Sequence, residues 1–306
     1  MASDSALPLD LICLGRINLD LYAEQEGALL EDVFTFRKYV GGSAGNICIG
    51  TARLGLRSAM VARVGDEQMG TFIRSEVAAA GADVAHLAAD PERLTGIVTV
   101  SVRASEGFPR IFFYENTADL ATDESDIDPD YIASAGALLI TGTFLSRDNL
   151  EAATRKAVAA AKAAGRKVVL DVDYRPVLWG EAEHAAGGEM FIASGSVTTK
   201  LQSILGSCDL IVGTEEEIHI AGGSTDTAEA VRSIRRLSDA TIVLKVGALG
   251  CLMFDGPIPD DLNDGIPGPG VPVDVFNTVG AGDAFMSGFL RGWLTGEPLQ
   301  ECARLA

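Results

Sequence analysis

Short runs built almost wholly from Val, Ile, Leu and Ala recur along this sequence, at residues 9–15 (LDLICLG), 58–65 (SAMVARVG), 136–143 (GALLITGT), 166–173 (RKVVLDVD), 208–214 (CDLIVGT) and 240–247 (ATIVLKVG). They are too short for ordinary helices and lack the polar alternation of a strand with one wet face, so they predict strands buried on both sides. Between them, residues 45–55, 69–81 and 148–165 show helical spacing, and in the last of these Asp148 and Glu151 stand as a capping box with Gly165 as the stop. Doubly buried strands alternating with helices specify an α/β fold: a doubly wound, mostly parallel sheet with helices on both faces. A chain of 306 residues that is 47% hydrophobic can fill one such domain, residues 1–306, around a large core.

Some stretches break the rhythm. Residues 32–40 (DVFTFRKYV), 95–104 (TGIVTVSVRA) and 109–116 (PRIFFYEN) alternate apolar with polar and have no helical partner. They predict a small β-sheet lid, with strands from about 32–40 and 95–116, over the strand ends where open α/β sheets bind ligands. The alternative is an antiparallel extension of the main sheet. The lid also offers a surface through which two copies could pair as a homodimer. The Pro/Gly-rich residues 255–274 read as a surface connection and residues 122–130 (TDESDIDPD) as a solvated acidic loop.

Charge and cysteine usage narrow the function. With 43 acidic against 24 basic residues and a net charge of −19, the chain has no general affinity for nucleic acid or anionic membranes. An anionic ligand must be held locally, by backbone N–H groups, a few placed cations or a metal that arrives with it. Cys13, Cys48, Cys208, Cys251 and Cys302 lack ligand-like spacing and read as buried free thiols of a reducing compartment. The N-terminus has no basic segment followed by a long apolar stretch and no run reaches transmembrane length, so the expected location is cytoplasmic. His86, His184 and His219 match no metal or triad spacing.

The stretch NTVGAGDAFMSGFL (277–290) carries the chemistry. The small residues from Val279 to Gly282 lead into a helical stripe of Phe285, Met286, Phe289, Leu290, Trp293 and Leu294. A tight turn opening a helix aims N–H groups and the positive end of the helix dipole outward, a ready anion site. Asp283 falls in the first helical turn, either as a functional carboxylate beside a bound anion or as an ordinary helix-start residue.

A second glycine motif, YVGGSAGNICIGTARLG (39–55), paired with NTVGAGDAF, resembles the ribokinase or PfkB family of carbohydrate kinases over essentially the whole chain. The resemblance implies a ribokinase-like fold and ATP-dependent phosphorylation of a primary hydroxyl. It casts Asp283 as general base and the backbone of Gly280, Ala281 and Gly282 as the anion hole for the transferring phosphoryl group. Asp20, Gly41, Gly42 and Asn46 would bind the sugar, with a turn role for Asp20 and a helix N-cap for Asn46 as the plain alternatives. Arg175, in DVDYRPVLW (171–179), is a cation whose planar fork suits a carboxylate, favouring a small-molecule sugar acid over fructose or ribose; a salt bridge is its alternative. Thr214, Glu217, Lys245, Gly247 and Gly250 would line the nucleotide site, Glu217 organising Mg²⁺ through water.

The sequence departs from the family pattern at several places. Thr214 replaces an asparagine, and Glu217 lies in a glutamate run that could equally be a helix start. Asn277 stands where many members have a cation-binding aspartate, leaving dependence on a monovalent cation open. The chain is expected to be shortened at its C-terminal end. A sugar- or nucleotide-binding protein without catalysis is the competing reading, whereas a Rossmann dehydrogenase is disfavoured because GRINLD, after the first strand, lacks GxGxxG.

Overall fold

A computed structural model describes residues 7–101, 110–182, 191–272 and 278–306. In chain order its strands are β1 (Leu9–Leu14), β2 (Asn18–Ala23), β3 (Phe36–Gly41), β4 (Ser58–Gly65), β5 (Leu87–Asp90), β6 (Ile97–Val100), β7 (Arg110–Phe113), β8 (Ala135–Thr141), β9 (Lys167–Asp171), β10 (Leu210–Thr214), β11 (Thr241–Lys245), β12 (Gly250–Phe254) and β13 (Ile266–Pro269). The helices are α1 (Ser43–Arg53), α2 (Gln68–Ala79), α3 (Pro129–Ala133), α4 (Asp148–Ala163), α5 (Gly195–Leu205), α6 (Glu215–Gly222), α7 (Thr227–Leu237), α8 (Ala281–Thr295) and α9 (Leu299–Leu305).

The large sheet has the order β13-β12-β11-β10-β9-β8-β1-β4-β5. Neighbours from β11 to β5 pair parallel, and β12 and β13 add an antiparallel edge. The strand pleat sends Ile12, Leu14, Leu138, Ile140, Val168 and Leu170 into one core and Leu11, Cys13, Leu139 and Val169 into the other. This two-sided burial is why the strand runs carry no polar alternation. Each such Leu, Ile or Val contributes about 1.5–3 kcal/mol relative to exposure. All five cysteines are buried and free.

Three local expectations are corrected. The Pro/Gly-rich connection contains β13, where the prolines cost little because an edge strand has backbone donors to spare. Asp148 lies inside α4 rather than capping it: Arg147 is the N-cap, and Glu151 pairs with Arg155 at 2.8 Å and Lys200 at 2.9 Å. The acidic segment folds into short turns whose Asp126 and Asp123 clasp Arg63 at 2.8 and 3.3 Å.

The lid is a separate four-stranded sheet, β3-β2-β6-β7, not an extension of the large one. It includes β2, which the alternation of 18–23 did not reveal, while residues 30–32 form a 3₁₀ turn and β3 begins only at Phe36. Register places Asp20 opposite Val98, Tyr22 opposite Val100, and Arg110 opposite Val100 in turn, so these side chains share the lid face turned to the large sheet.

Candidate active site

Two helices fix the geometry of the cleft beneath the lid. Asn46 Nδ2 donates to Asp283 Oδ2 at 2.7 Å. One turn further along both helices, Gly50 meets Ser287 so closely that a side chain on Gly50 would overlap it. A turn beyond, Arg291 Nε donates to the Leu54 carbonyl at 3.1 Å. Thus α1 and α8 run parallel and in step, and their N-termini lie side by side. Unpaired N–H groups and the positive ends of both helix dipoles converge on one region. Each helix opens from a glycine in the left-handed region, Gly42 at φ 86° and Gly280 at φ 82°. At Gly42 a Cβ would lie 2.5 Å from the Arg16 carbonyl, so only glycine fits that turn.

The convergence opens into a cleft of about 1800 Å³ at the carboxyl ends of the parallel strands. Its walls include Asp20, Gly42, Asn46, Arg175, Thr214, Glu217, Lys245, Gly247, Gly250, Gly280, Ala281, Gly282 and Asp283. Residues from distant parts of the sequence are therefore brought together. Gly41 does not line the cleft; it lies behind Asp20, whose carboxylate occupies the place of a side chain. Asn277 and His184 lie outside the described residues.

Asp283 keeps some surface toward the cleft but is otherwise crowded by protein. Burial pushes its carboxyl up to about 6, against the lowering effect of the Asn46 hydrogen bond; Asp173 nearby adds to the rise, while Arg175 and Lys245 oppose it. A carboxyl so poised ionises near neutrality and is basic enough to take a proton. Of the three backbone donors expected to form an anion hole, the Ala281 N–H is committed to the Thr278 carbonyl at 3.1 Å. The N–H groups of Gly282 and Asp283 have no acceptor among the described residues.

At the lid end, Asp20 is a strand residue rather than a turn residue. Arg16 donates to Asn18 at 3.2 Å and Asn18 to Asp20 at 2.6 Å, a chain leading from β1 to the lid. Asp173 receives Ser43 Oγ at 2.6 Å and Arg175 at 3.3 Å, and holds φ at 34°, a strained value for a non-glycine residue. Arg175 also reaches Glu217 at 3.4 Å. It both lines the cleft and makes the salt bridges of its alternative reading. A different cation makes no close ion pair among the described residues: Arg110 of β7 faces the cleft, its buried Nε has no acceptor there, and Asp20 and Tyr22 attract it only from a distance. Burial, with Arg175 nearby, lowers the pKa of Arg110.

On the other wall, Thr214 and Glu217 form a capping box at the start of α6, the Thr214 N–H donating to Glu217 at 2.8 Å. Burial alone would raise the Glu217 carboxyl, but Lys245 at 3.5 Å and Arg175 hold it below its ordinary value. Lys245 also stands 4.0 Å from Asp171, and a side chain on Gly282 would come within 3.4 Å of its ammonium. Beyond it the cleft becomes apolar, bounded by Ala248, Pro269, Val271, Ala303 and Leu305.

The model of the pfkB family carbohydrate kinases matches residues 9–306. The chain belongs to that family. Among curated relatives, the 5-dehydro-2-deoxygluconokinase of Geobacillus kaustophilus is 33% identical over 301 residues, covering 97% of this chain and 85% of the relative. The enzyme of the same name from Bacillus subtilis is 30% identical over 296 residues, covering 95% and 85%. Of solved structures, a PfkB protein from Polaromonas sp. JS666 superposes with a TM-score of 0.81 at 27% identity, over 97% of this chain and 92% of that one. A putative ribokinase II from E. coli, in complex with ATP and Mg²⁺, gives 0.83 at 18% identity, over 97% and 89%, which shows a shared ribokinase-like fold.

For a pfkB-family carbohydrate kinase the cleft holds more than the sequence motifs announced. Arg16, Ser43, Arg110, Asp171 and Asp173 all line it. For Arg16, Asp171 and Asp173 the available signal was position, since polar residues directly after apolar strand runs fall at the carboxyl edge of the sheet. Arg110 gave no such signal, because its cleft-facing side depends on strand pairing within the lid.

Proposed function

We propose that this chain transfers the terminal phosphoryl group of ATP to the primary hydroxyl of a keto-deoxy sugar acid, 5-dehydro-2-deoxy-D-gluconate. Asp283, set between two helix N-termini in the cleft, is the observation that carries the reading. Its carboxylate takes the hydroxyl proton as that oxygen attacks phosphorus, and the N–H groups of Gly282 and Asp283 stabilise the charge on the transferring group. Lys245, beside Gly282, adds a positive charge there. The apolar end bounded by Ala248 and Leu305, with the Gly247 and Gly250 turn, suits an adenine.

Among the described residues no group of three or more acidic, histidine or cysteine side chains could cage a metal. That fits a Mg²⁺ ion held chiefly by phosphates and water, with Glu217, already occupied by Thr214, Lys245 and Arg175, acting through water. The ion supplies charge neutralisation on the phosphates.

The names of the curated relatives support the substrate, and so does Arg110, which makes no close ion pair among the described residues and faces Asp20 and Arg175 across the sugar end. A neutral sugar has no use for that cation. We further propose a cytoplasmic homodimer paired through the lid; no described helix is long and apolar enough to cross a membrane. The test is ADP release from Mg·ATP with 5-dehydro-2-deoxygluconate, 2-dehydro-3-deoxygluconate and fructose in parallel. Fastest turnover on the first supports the substrate, preference for fructose removes the carboxylate argument, and sugar binding without turnover supports a non-catalytic relative.

A further inference from the structure

The bond from Asn46 to Asp283 has no part in a reading where Asn46 serves only the sugar. We propose that Asn46 is a positioning residue for the base: its amide holds one oxygen of Asp283, leaves the other for the acceptor hydroxyl, and favours the ionised carboxylate. This rests on Asp283 being the base of the proposed phosphoryl transfer.

Geometry supports it in three ways. An amide Nδ2 can only donate, and at 2.7 Å its bond to Asp283 Oδ2 is of charge-assisted length. The distance is built into the fold, because the Gly50–Ser287 and Leu54–Arg291 contacts lock α1 against α8 in the same register. Asn46 itself sits in the first turn of α1 with its N–H bonded to the Gly42 carbonyl at 2.9 Å, so its side chain leaves a fixed backbone.

The other charged or titratable groups facing Asp283 are Asp171 of β9, Asp173 and Arg175 just beyond it, Lys245 of β11 and Tyr22 of the lid. Arg175 is shared with Asp173 and Glu217, and Lys245 with Glu217 and Asp171. Of these groups, Asp173 disfavours ionisation of Asp283, whereas Tyr22, a neutral phenol, does not oppose it. Asn46 is the side chain that donates a hydrogen bond to its carboxylate. Removing that donor moves the proton equilibrium toward the acid form.

The experiment reads the carboxyl directly. In protein labelled with ¹³C at aspartate side-chain carboxyls, the Asp283 resonance is assigned by its loss in Asp283→Asn and titrated in wild type, Asn46→Ala and the nearly isosteric Asn46→Asp. Loss of a hydrogen bond to a charged group should raise the titration midpoint in Asn46→Ala by about one pH unit. Asn46→Asp, which sets a second carboxyl against the first, should give a coupled pair with one midpoint raised further. Midpoints unchanged in both variants, with near-ultraviolet circular dichroism intact, overturn the proposal. The reading needs no turnover, so a moved midpoint in a protein inactive on every sugar would refute the kinase reading while leaving the Asn46 contact standing. In active enzyme, the acid limb of kcat should move up with little change in sugar KM; a raised KM with an unmoved limb would assign Asn46 to substrate alone and overturn the proposal.

Discussion

Asp283 is held at a cost to stability, and that cost is measurable. Its folded pKa of about 6 lies above the ordinary carboxyl value, so its contribution to stability is full below about pH 4 and is lost as pH rises through 6. Asp283→Asn removes the buried charge. The variant should match wild type in thermal stability at pH 4 and exceed it at pH 8, by up to about 3 kcal/mol and less to the extent that the cleft admits water. Its kcat should fall roughly 10²–10⁴-fold, the usual contribution of a general base. Wild-type kcat should decline as pH falls through about 6. A variant that loses activity without gaining stability at pH 8 would show the carboxyl to be solvated in the resting protein, with its pKa near the ordinary value. Arg110 tests the other end of the cleft. Arg110→Leu should raise KM for the sugar acid about 10- to 100-fold, the worth of hydrogen bonds to a charged group, and leave turnover of any neutral sugar nearly unchanged; equal losses on both would make Arg110 a structural lid residue.

The pairing of α1 with α8 converts two separate glycine motifs into one site. Its tightest point is Gly50 against Ser287, a full turn away from the reacting groups. Gly50→Ala has nowhere to put its methyl group without parting the helices, and overpacking of this kind costs about 1–3 kcal/mol. Urea unfolding should show that loss, and because the same displacement separates Asn46 from Asp283, kcat should fall with it. Undiminished kcat in a destabilised variant would mean that the helix ends tolerate the shift. The glycine turns themselves were legible because close approach and left-handed backbone restrict the residue type. What the sequence did not disclose was set by pairing: β2 follows β1 after a short link and looks like its continuation, and the prolines of β13 conceal an edge strand. Arg110 reads as one polar residue among the alternating positions of residues 109–116 until the β6–β7 register turns it into the cleft.

The six central strands of the large sheet were legible because burial on both faces leaves few polar residues to interrupt them, while its edge strands β5, β12 and β13 were not, and the division of labour in the cleft depends on contacts across the whole molecule. Arg175 illustrates this. Read locally it is an available cation, but β10 and α6 bring Glu217 to it and the turn after β9 brings Asp173. The lid poses a similar question on its outer side. Register places Phe36 and Phe113 on the face turned from the cleft, where they are 38% and 58% exposed, and Phe34, just before β3, is 89% exposed. Phe36 and Phe113 stand on the two opposite edge strands of the lid, with Leu19, Leu21 and Ile97 between them packed on the core, and a second copy of the same lid is the partner proposed for these exposed edges. Sedimentation equilibrium should therefore give a dimer for wild type and a monomer for Phe113→Asp. Asp20 and Arg110 line the cleft from the inner face of that same sheet, so on the proposed reading the monomeric variant should also show a raised sugar KM with its ATP KM little changed. A wild-type monomer would leave the aromatic edges without their proposed partner, and a monomeric Phe113→Asp with unaltered sugar KM would show that the lid holds its inner face without help from a second chain.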